Sequence, residues 1–246
     1  MKGNNIVIVG CSTGIGFELA KYFKSTSNTV IGMGLHKPDI DIDFYQCDVT
    51  DFIAVTNACD LICSRYDAID GIVYNAGVVG ANAICDMDIT VFDHIQKVNL
   101  YGYFYVAKAF YNKLKSQGYG SIVQINSKSG KKGSYKNCAY SSSKFAGIGL
   151  TQSLALEFVE FGVRVNCVCP GNVFESDIWQ KHLFEQFSKT QKLNKDQLLE
   201  KYINLVPMKR GCTYTDVINA VEFLLSDKSS YMTGQAINIT GGQQLS

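Results

Sequence analysis

Short apolar runs recur along this chain, and nearly every one is followed by a segment whose apolar residues fall at helical spacing. Asn5 to Val9, Thr29 to Met33, Phe44 to Cys47, Gly71 to Tyr74, Ile122 to Ile125, Val163 to Cys169 and Ala236 to Ile239 form the first set. Apolar runs this short, bounded by polar or glycine residues, read as buried strands. Helical patterns follow at Phe17–Phe23, Asp51–Arg65, Asp88–Lys115, Tyr140–Phe161 and Thr215–Leu225. Strand and helix in alternation predict an α/β fold built on a doubly wound parallel sheet. At 246 residues the chain suits one domain spanning residues 1–246, with no internal repeat, low-complexity tract or linker. Residues 174–206 depart from the alternation. They are charged and amphipathic, carry Trp179, Phe184, Phe187, Leu198 and Tyr202, and read as a helical insertion covering a site at the sheet's carboxyl edge.

The first strand runs directly into GCSTGIG and then into the first helix. Gly10, Gly14 and Gly16 therefore sit in a strand-to-helix turn, where a backbone free of side chains can approach a pyrophosphate and a helix N-terminus favours negative charge. That context points to dinucleotide binding and a Rossmann-like arrangement. The second strand ends in Gly34-Leu35-His36-Lys37 without the acid that would bind an adenosine 2′-hydroxyl. Asp39, Asp41 and Asp43 lie further along the loop, so the choice between NAD and NADP stays open at this point. Asp48 and Val49, after the third strand, could contact the adenine edge. Asn75-Ala76-Gly77 place small residues at the carboxyl end of the fourth strand.

The fifth strand leads through Ser127 and a lysine-rich loop into a helix carrying Tyr140 and Lys144. Residues four apart share a helix face. A nearby ammonium favours a phenolate, so Lys144 is expected to lower the Tyr140 pKa from its usual value of about 10. Ser127 could hold a substrate oxygen beside that phenol. Asn99 stands inside the helical stretch from Asp88, an intrinsically poor place for asparagine, so its amide is either tolerated or in use.

A net charge of +1 and 46% hydrophobic residues give no sign of a nucleic-acid or membrane partner. The opening residues lack the pattern of a signal peptide, and no apolar run is long enough to span a bilayer, so a cytoplasmic location is expected. The nine cysteines show no zinc-type spacing and lie far in sequence from His36, His94 and His182, which predicts free thiols and no metal site.

Taken together, these residues resemble the short-chain dehydrogenase/reductase family along essentially the whole chain. Gly10-x-x-x-Gly14-Ile15-Gly16 resembles its cofactor loop, Asn75-Ala76-Gly77 its sheet motif, and Pro170-Gly171 the motif beside the nicotinamide. Asn99, Ser127, Tyr140 and Lys144 match its catalytic tetrad in order and spacing. The resemblance implies cofactor contacts at Gly10, Ser12, Gly14, Ile15, Gly16, Asp48, Val49, Asn75, Ala76, Gly77, Tyr140, Lys144, Pro170, Gly171 and Val173. Val9, Tyr74 and Glu175 depart from the family pattern, the last at a position where threonine often binds the carboxamide. INSKSGKKGS, VPMKRGCTYTDVINAVEFLLS and SYMTGQAINITGGQ are similar to the sorbitol-6-phosphate 2-dehydrogenases within the family.

That likeness implies a cytoplasmic homotetramer of carbohydrate metabolism that uses NAD, with NADP possible, to interconvert sorbitol 6-phosphate and fructose 6-phosphate. Ser127, Lys128, Lys131 and Tyr140 are the expected substrate contacts. Lys132 and Lys136 belong to the same loop, and Lys209 and Arg210 could fold toward the same mouth. Two alternatives stand beside it. One is a family member acting on another carbonyl, such as an acyl-thioester ketone, a steroid or another polyol. The other is a non-enzymatic dinucleotide sensor, which loss of tetrad residues would favour.

Overall fold

Alternation along the strands decides which helices cover which face of the sheet. In the computed structural model, which describes residues 3–246, the first strand β1 (Asn5–Val9) turns Val7 and Val9 to one face and Ile6 and Ile8 to the other. It is followed by α1 (Gly14–Ser25), β2 (Thr29–Gly34), β3 (Asp43–Gln46), α2 (Phe52–Arg65), β4 (Gly71–Tyr74), α3 (Ile89–Gln96) and α4 (Gly102–Gln117). Next come β5 (Gly120–Ile125), α5 (Cys138–Phe158), β6 (Val163–Pro170), α6 (Phe184–Gln191), α7 (Lys195–Asn204), α8 (Tyr214–Leu225) and β7 (Ala236–Ile239). All strand pairs are parallel, in the order β3-β2-β1-β4-β5-β6-β7. Chain direction across the sheet reverses between β1 and β4. Ligands of open α/β sheets bind in the crevice at such a switch point, beyond the carboxyl ends of the strands.

One face packs Val7, Val9, Ile72 and Val165 against Val55, Tyr103, Phe110 and Phe158 from α2, α4 and α5. The opposite face packs Ile6, Ile8, Val73 and Val168 against Leu19, Phe23, Val221 and Leu224 from α1 and α8. Each large side chain buried in this way contributes about 1.5–3 kcal/mol. A third, smaller core of Phe174, Trp179, Phe184 and Leu198 belongs to the 174–206 insertion alone. No helix among the described residues is long and apolar enough to cross a membrane.

The long helical stretch from Asp88 is not one regular α-helix. α3 and α4 are joined by a π-helical turn over Lys97–Tyr101, with Asn99 at its centre. There the Gly102 N–H reaches back to the Lys97 carbonyl, leaving the Val98 carbonyl without its usual helical donor. Tyr74, fully buried at the end of β4, donates its hydroxyl to that carbonyl. Gly102 makes the room, since a Cβ there would lie 2.3 Å from the Tyr74 oxygen. Tyr74 thus ties the sheet to this helix turn.

Candidate active site

The dinucleotide side of the crevice is built from main chain. Asn75 and Ala76 both donate backbone N–H groups to the Val9 carbonyl at 2.9 Å, and the Asn75 amide donates to the Gly10 carbonyl at 2.7 Å. This draws the ends of β1 and β4 so close that a Cβ on Gly10 would meet Ala76 at 2.7 Å. A Cβ on Gly16 would meet the Gly10 carbonyl at 2.1 Å, and Gly14 has open space above it. Thr13, which precedes α1, makes no side-chain cap, whereas Asp51, Asp88, Asn194 and Thr213 cap α2, α3, α7 and α8. The first N–H groups of α1 are therefore left facing the crevice, where they suit a pyrophosphate.

These residues border a cavity of about 330 Å³, lined by Gly10, Ser12, Gly14, Ile15, Asp48, Val49 and Asn75–Gly77. The turn glycines and the open N-terminus of α1 fit a dinucleotide. At the end of β2, Leu35 and His36 line this cavity. Asp43 does not serve the ribose position, because it is paired with Arg65 at 2.8 Å and accepts from Tyr66. His94, Val78, Ser176 and Asp177 also line it, and nothing in their local sequence announces that.

A second cavity of about 260 Å³ shares Ile15, Ser176 and Ile178 with the first. Ser127 and Tyr140 border it, as do Pro170, Gly171 and Val173 at the end of β6. Trp179, Leu183, Phe187 and Tyr202 of the insertion close it from the other side. Ser127 accepts a hydrogen bond from the Ser129 N–H at 3.1 Å, so its own proton is free for the Tyr140 oxygen.

Lys144 and Asn99 line neither cavity. Both are buried just behind Gly77, where an added Cβ would lie 3.4 Å from the Asn99 oxygen and 3.7 Å from the Lys144 nitrogen. Asn99 makes three of its four possible side-chain hydrogen bonds. It accepts from the Val78 N–H at 2.8 Å and donates to the Val78 carbonyl and to Ser143, each at 3.0 Å. The amide in mid-helix thus clamps the strand-end loop to α5 through the π turn, a kind of helix irregularity frequent at functional sites.

The electrostatics differ from the expectation that Lys144 lowers the Tyr140 pKa. Burial dominates and raises it, and the Ser127 hydrogen bond works in the opposite sense. Lys144 donates to the Ile125 carbonyl at 3.0 Å and stands 5.6 Å from the centre of the Tyr140 ring. Burial brings its own pKa down to about 8. An ammonium turned toward a backbone carbonyl does not outweigh desolvation of the phenol.

The lysine-rich loop separates on folding. Lys128 lines the Tyr140 cavity, whereas Lys131 lines a different depression beside Phe145 and Gln152. Lys132 and Lys136 are exposed, with Lys136 over the ring of Tyr135. Lys209 and Arg210 do not turn toward the mouth. Lys209 donates to the Asn204 carbonyl, and Arg210 grips Asp216 with both guanidinium nitrogens beside the capping box of α8. Glu175 accepts the Tyr214 N–H at 2.7 Å at the start of α8 and lines neither cavity. Ser176, one residue on, borders both.

Comparison with known proteins agrees with this geometry. Residues 4–185 match the family described as short chain dehydrogenase. Sorbitol-6-phosphate 2-dehydrogenase of Escherichia coli K12 is 45% identical over 192 residues, covering 78% of this chain and 73% of that protein. A 3-oxoacyl-[acyl-carrier-protein] reductase of Buchnera aphidicola is 32% identical over 248 residues, covering 97% of this chain and 96% of its own length. The crystal structure of a sorbitol-6-phosphate 2-dehydrogenase from Erwinia amylovora superposes with a TM-score of 0.94 at 35% identity, covering 98% of this chain and 100% of that one. With the crevice, the turn glycines and this likeness in agreement, the chain belongs to the short-chain dehydrogenase/reductase family of oxidoreductases.

Proposed function

We propose that this enzyme oxidises sorbitol 6-phosphate to fructose 6-phosphate, and catalyses the reverse reduction, with NAD as the preferred dinucleotide. The observation that carries the reading is Lys128, a largely buried ammonium on the wall of the cavity that also holds Ser127 and Tyr140. A phosphate several carbons from the reacting carbinol would contribute remote binding energy that orients C2. The likeness to sorbitol-6-phosphate 2-dehydrogenases at 45% and 35% identity supports the sugar.

The family works with a nicotinamide dinucleotide, NAD or NADP. When bound, that cofactor takes up or returns the hydride. Gly10, Ser12, Gly14, Ile15, Gly16, Asp48, Val49, Asn75, Ala76, Gly77, Pro170, Gly171 and Val173 would hold it, with Tyr140 and Lys144 at its reactive end. In reduction, Tyr140 gives its proton to the carbonyl oxygen, a role that suits a phenol kept protonated by burial. Ser127 turns its one proton from the Tyr140 oxygen to the carbonyl oxygen and holds it there. In oxidation Tyr140 first has to give up its proton, and the phenolate then takes the hydroxyl proton of the substrate. Asn99 and Lys144 support the site from behind Gly77.

The test is absorbance at the nicotinamide band with sorbitol 6-phosphate and with free sorbitol, each with NAD and with NADP. Higher kcat/KM on the phosphate is expected, and equal efficiency on the two, or none on the phosphate, would end the substrate reading. A tenfold advantage for NADP would reverse the cofactor choice, for which His36 on the cavity wall is the residue to examine. A 3-oxoacyl thioester belongs in the same panel, because the reductase likeness runs along nearly the whole chain. We also propose a homotetramer, supported by Tyr101, Phe104, Phe145 and Leu156, which are exposed on or beside α4 and α5. Light scattering at micromolar concentration should give four times the chain mass.

A further inference from the structure

Among the described residues, Lys128 forms no ion pair. None of those lining its cavity is a carboxylate, and the ionisable ones are Lys128, Tyr140 and Tyr202. Its hydrogen-bond partner among the described residues is the side-chain oxygen of Gln243, at 2.8 Å and 115 residues away. An ammonium has three N–H donors, so this contact leaves two for a ligand. Burial alone pushes the Lys128 pKa down to about 8.

Gln243 is itself held in place. The chain leaves β7 through Thr240 and turns at Gly241 and Gly242, whose φ angles are +59° and +87°. The Gln243 N–H donates to the Thr240 carbonyl, and the Thr240 hydroxyl bonds both the N–H and the carbonyl of Gln244. The Gly241 carbonyl accepts the Met208 N–H at 3.1 Å, which anchors the turn to the chain after the insertion. An amide oxygen carried on a fixed turn can orient an ammonium without neutralising it. A carboxylate in the same place would orient it and cancel its charge.

We infer that Gln243 is a positioning residue for the anionic end of the substrate: its amide oxygen aims the Lys128 ammonium into the cavity beside Ser127 and Tyr140 and leaves the charge free for a phosphate. This rests on the reading of a phosphorylated substrate given above. It makes the segment after β7 part of the specificity apparatus, although it touches none of the reacting atoms.

The experiment is steady-state kinetics of the intact enzyme on sorbitol 6-phosphate and free sorbitol, for wild type, Gln243→Ala, Gln243→Glu, Lys128→Met and the Lys128→Met/Gln243→Ala double variant. Gln243→Ala should raise KM for the phosphate by about fivefold to tenfold, as expected for a weakened charge-assisted contact, and lower kcat far less. In the Lys128→Met background the same change should move KM less than twofold, because the residue to be aimed is gone. Gln243→Glu should raise KM further, since the new carboxylate pairs with the ammonium.

The pH profile provides a second readout. A lysine is charged below its pKa, and a sugar phosphate is a dianion above its second pKa of about 6, so the wild-type KM for the phosphate should be lowest between about pH 7 and 8 and climb above about pH 8. A carboxylate at position 243 favours the charged form, so Gln243→Glu should move that climb to higher pH. Tyr140 and Tyr202 face Lys128 across the cavity, and Lys131 and Lys132 follow it on the loop. Removing Lys128 therefore has to abolish the inflection if it belongs to that residue. Wild type that prefers the phosphate while Gln243→Ala behaves like it, or loses the same factor without Lys128, would overturn the inference alone. Wild type that fails to distinguish phosphate from free sorbitol would overturn the phosphate reading and the inference with it.

Discussion

The two walls of the crevice are made in different ways. The dinucleotide wall is main chain: glycine carbonyls, strand-end N–H groups and an uncapped helix, packed so tightly that Gly10 and Gly16 admit no Cβ. The substrate wall is side chain: an insertion with its own aromatic core, in which Trp179 lies 4.8 Å from Phe174 and 5.2 Å from Phe184, ring centre to ring centre. A wall of backbone can be shared by relatives of any sequence, provided the glycines remain. A wall of side chains changes with each substitution. That difference explains how the chain resembles both a sorbitol-6-phosphate 2-dehydrogenase and a 3-oxoacyl-[acyl-carrier-protein] reductase within one family.

The comparison is sharpened most by removing the group that stands where the walls meet. Tyr140→Phe keeps the ring and removes the transferable proton, so kcat should fall at least about 10²-fold with cofactor binding retained in a fluorescence titration. Retention of most of the turnover would mean that the proton travels by another route.

Next in size are paired changes on the two walls. Gly16→Ala forces a methyl group against the Gly10 carbonyl, an overpacking that typically costs about 1–3 kcal/mol. The effect should fall on the dinucleotide KM, which we expect to rise about tenfold or more. Trp179→Ala empties the centre of the small core and should raise the substrate KM instead. Trp179 is the only tryptophan in the chain, so its emission reports on the insertion alone. Fluorescence should register unfolding at a lower urea concentration than far-ultraviolet dichroism, which follows the sheet and its helices. Coincident transitions would show that the insertion and the sheet are one cooperative unit, and the contrast between the walls would lose its energetic meaning.

How much of this could be read from sequence follows the same division. Strand positions, the glycine turn and the spacing of Ser127, Tyr140 and Lys144 are local patterns, and β1, β4 and β7 fall on the expected residues. What escaped depends on contacts distant in sequence. Nothing near Lys128 reveals that its partner is Gln243, and counting lysines could not tell that Lys131 faces another depression. Arg210 was more accessible to reasoning. Thr213-x-x-Asp216 has the form of a capping box, and an acid six residues on was a better partner than a remote phosphate. The direction of the Tyr140 shift was missed because spacing indicates which residues are neighbours and says nothing of how much water each loses on folding.

The smallest effect expected concerns the tie between β4 and the π turn, which lies beneath both walls. Tyr74→Phe preserves the ring and its packing against Tyr103, 5.4 Å between centres, while deleting the donor to the Val98 carbonyl. Because the Gly102 N–H is committed to Lys97, no helical donor is left for that carbonyl, and it stays buried. An orphaned buried acceptor costs about 1–3 kcal/mol, which for a chain of this size lowers Tm by roughly 2–4 °C per kcal/mol. Activity should change little, since Asn99 keeps its grip on Val78 and Ser143 through bonds that do not involve Tyr74. A calorimetric scan gives the first quantity and kcat the second. An unchanged Tm would mean that the turn relaxes to regular α-helical bonding without the hydroxyl. A large loss of kcat with it would show that the π turn, and not the Asn99 amide alone, holds the loop behind Gly77 in register with both walls.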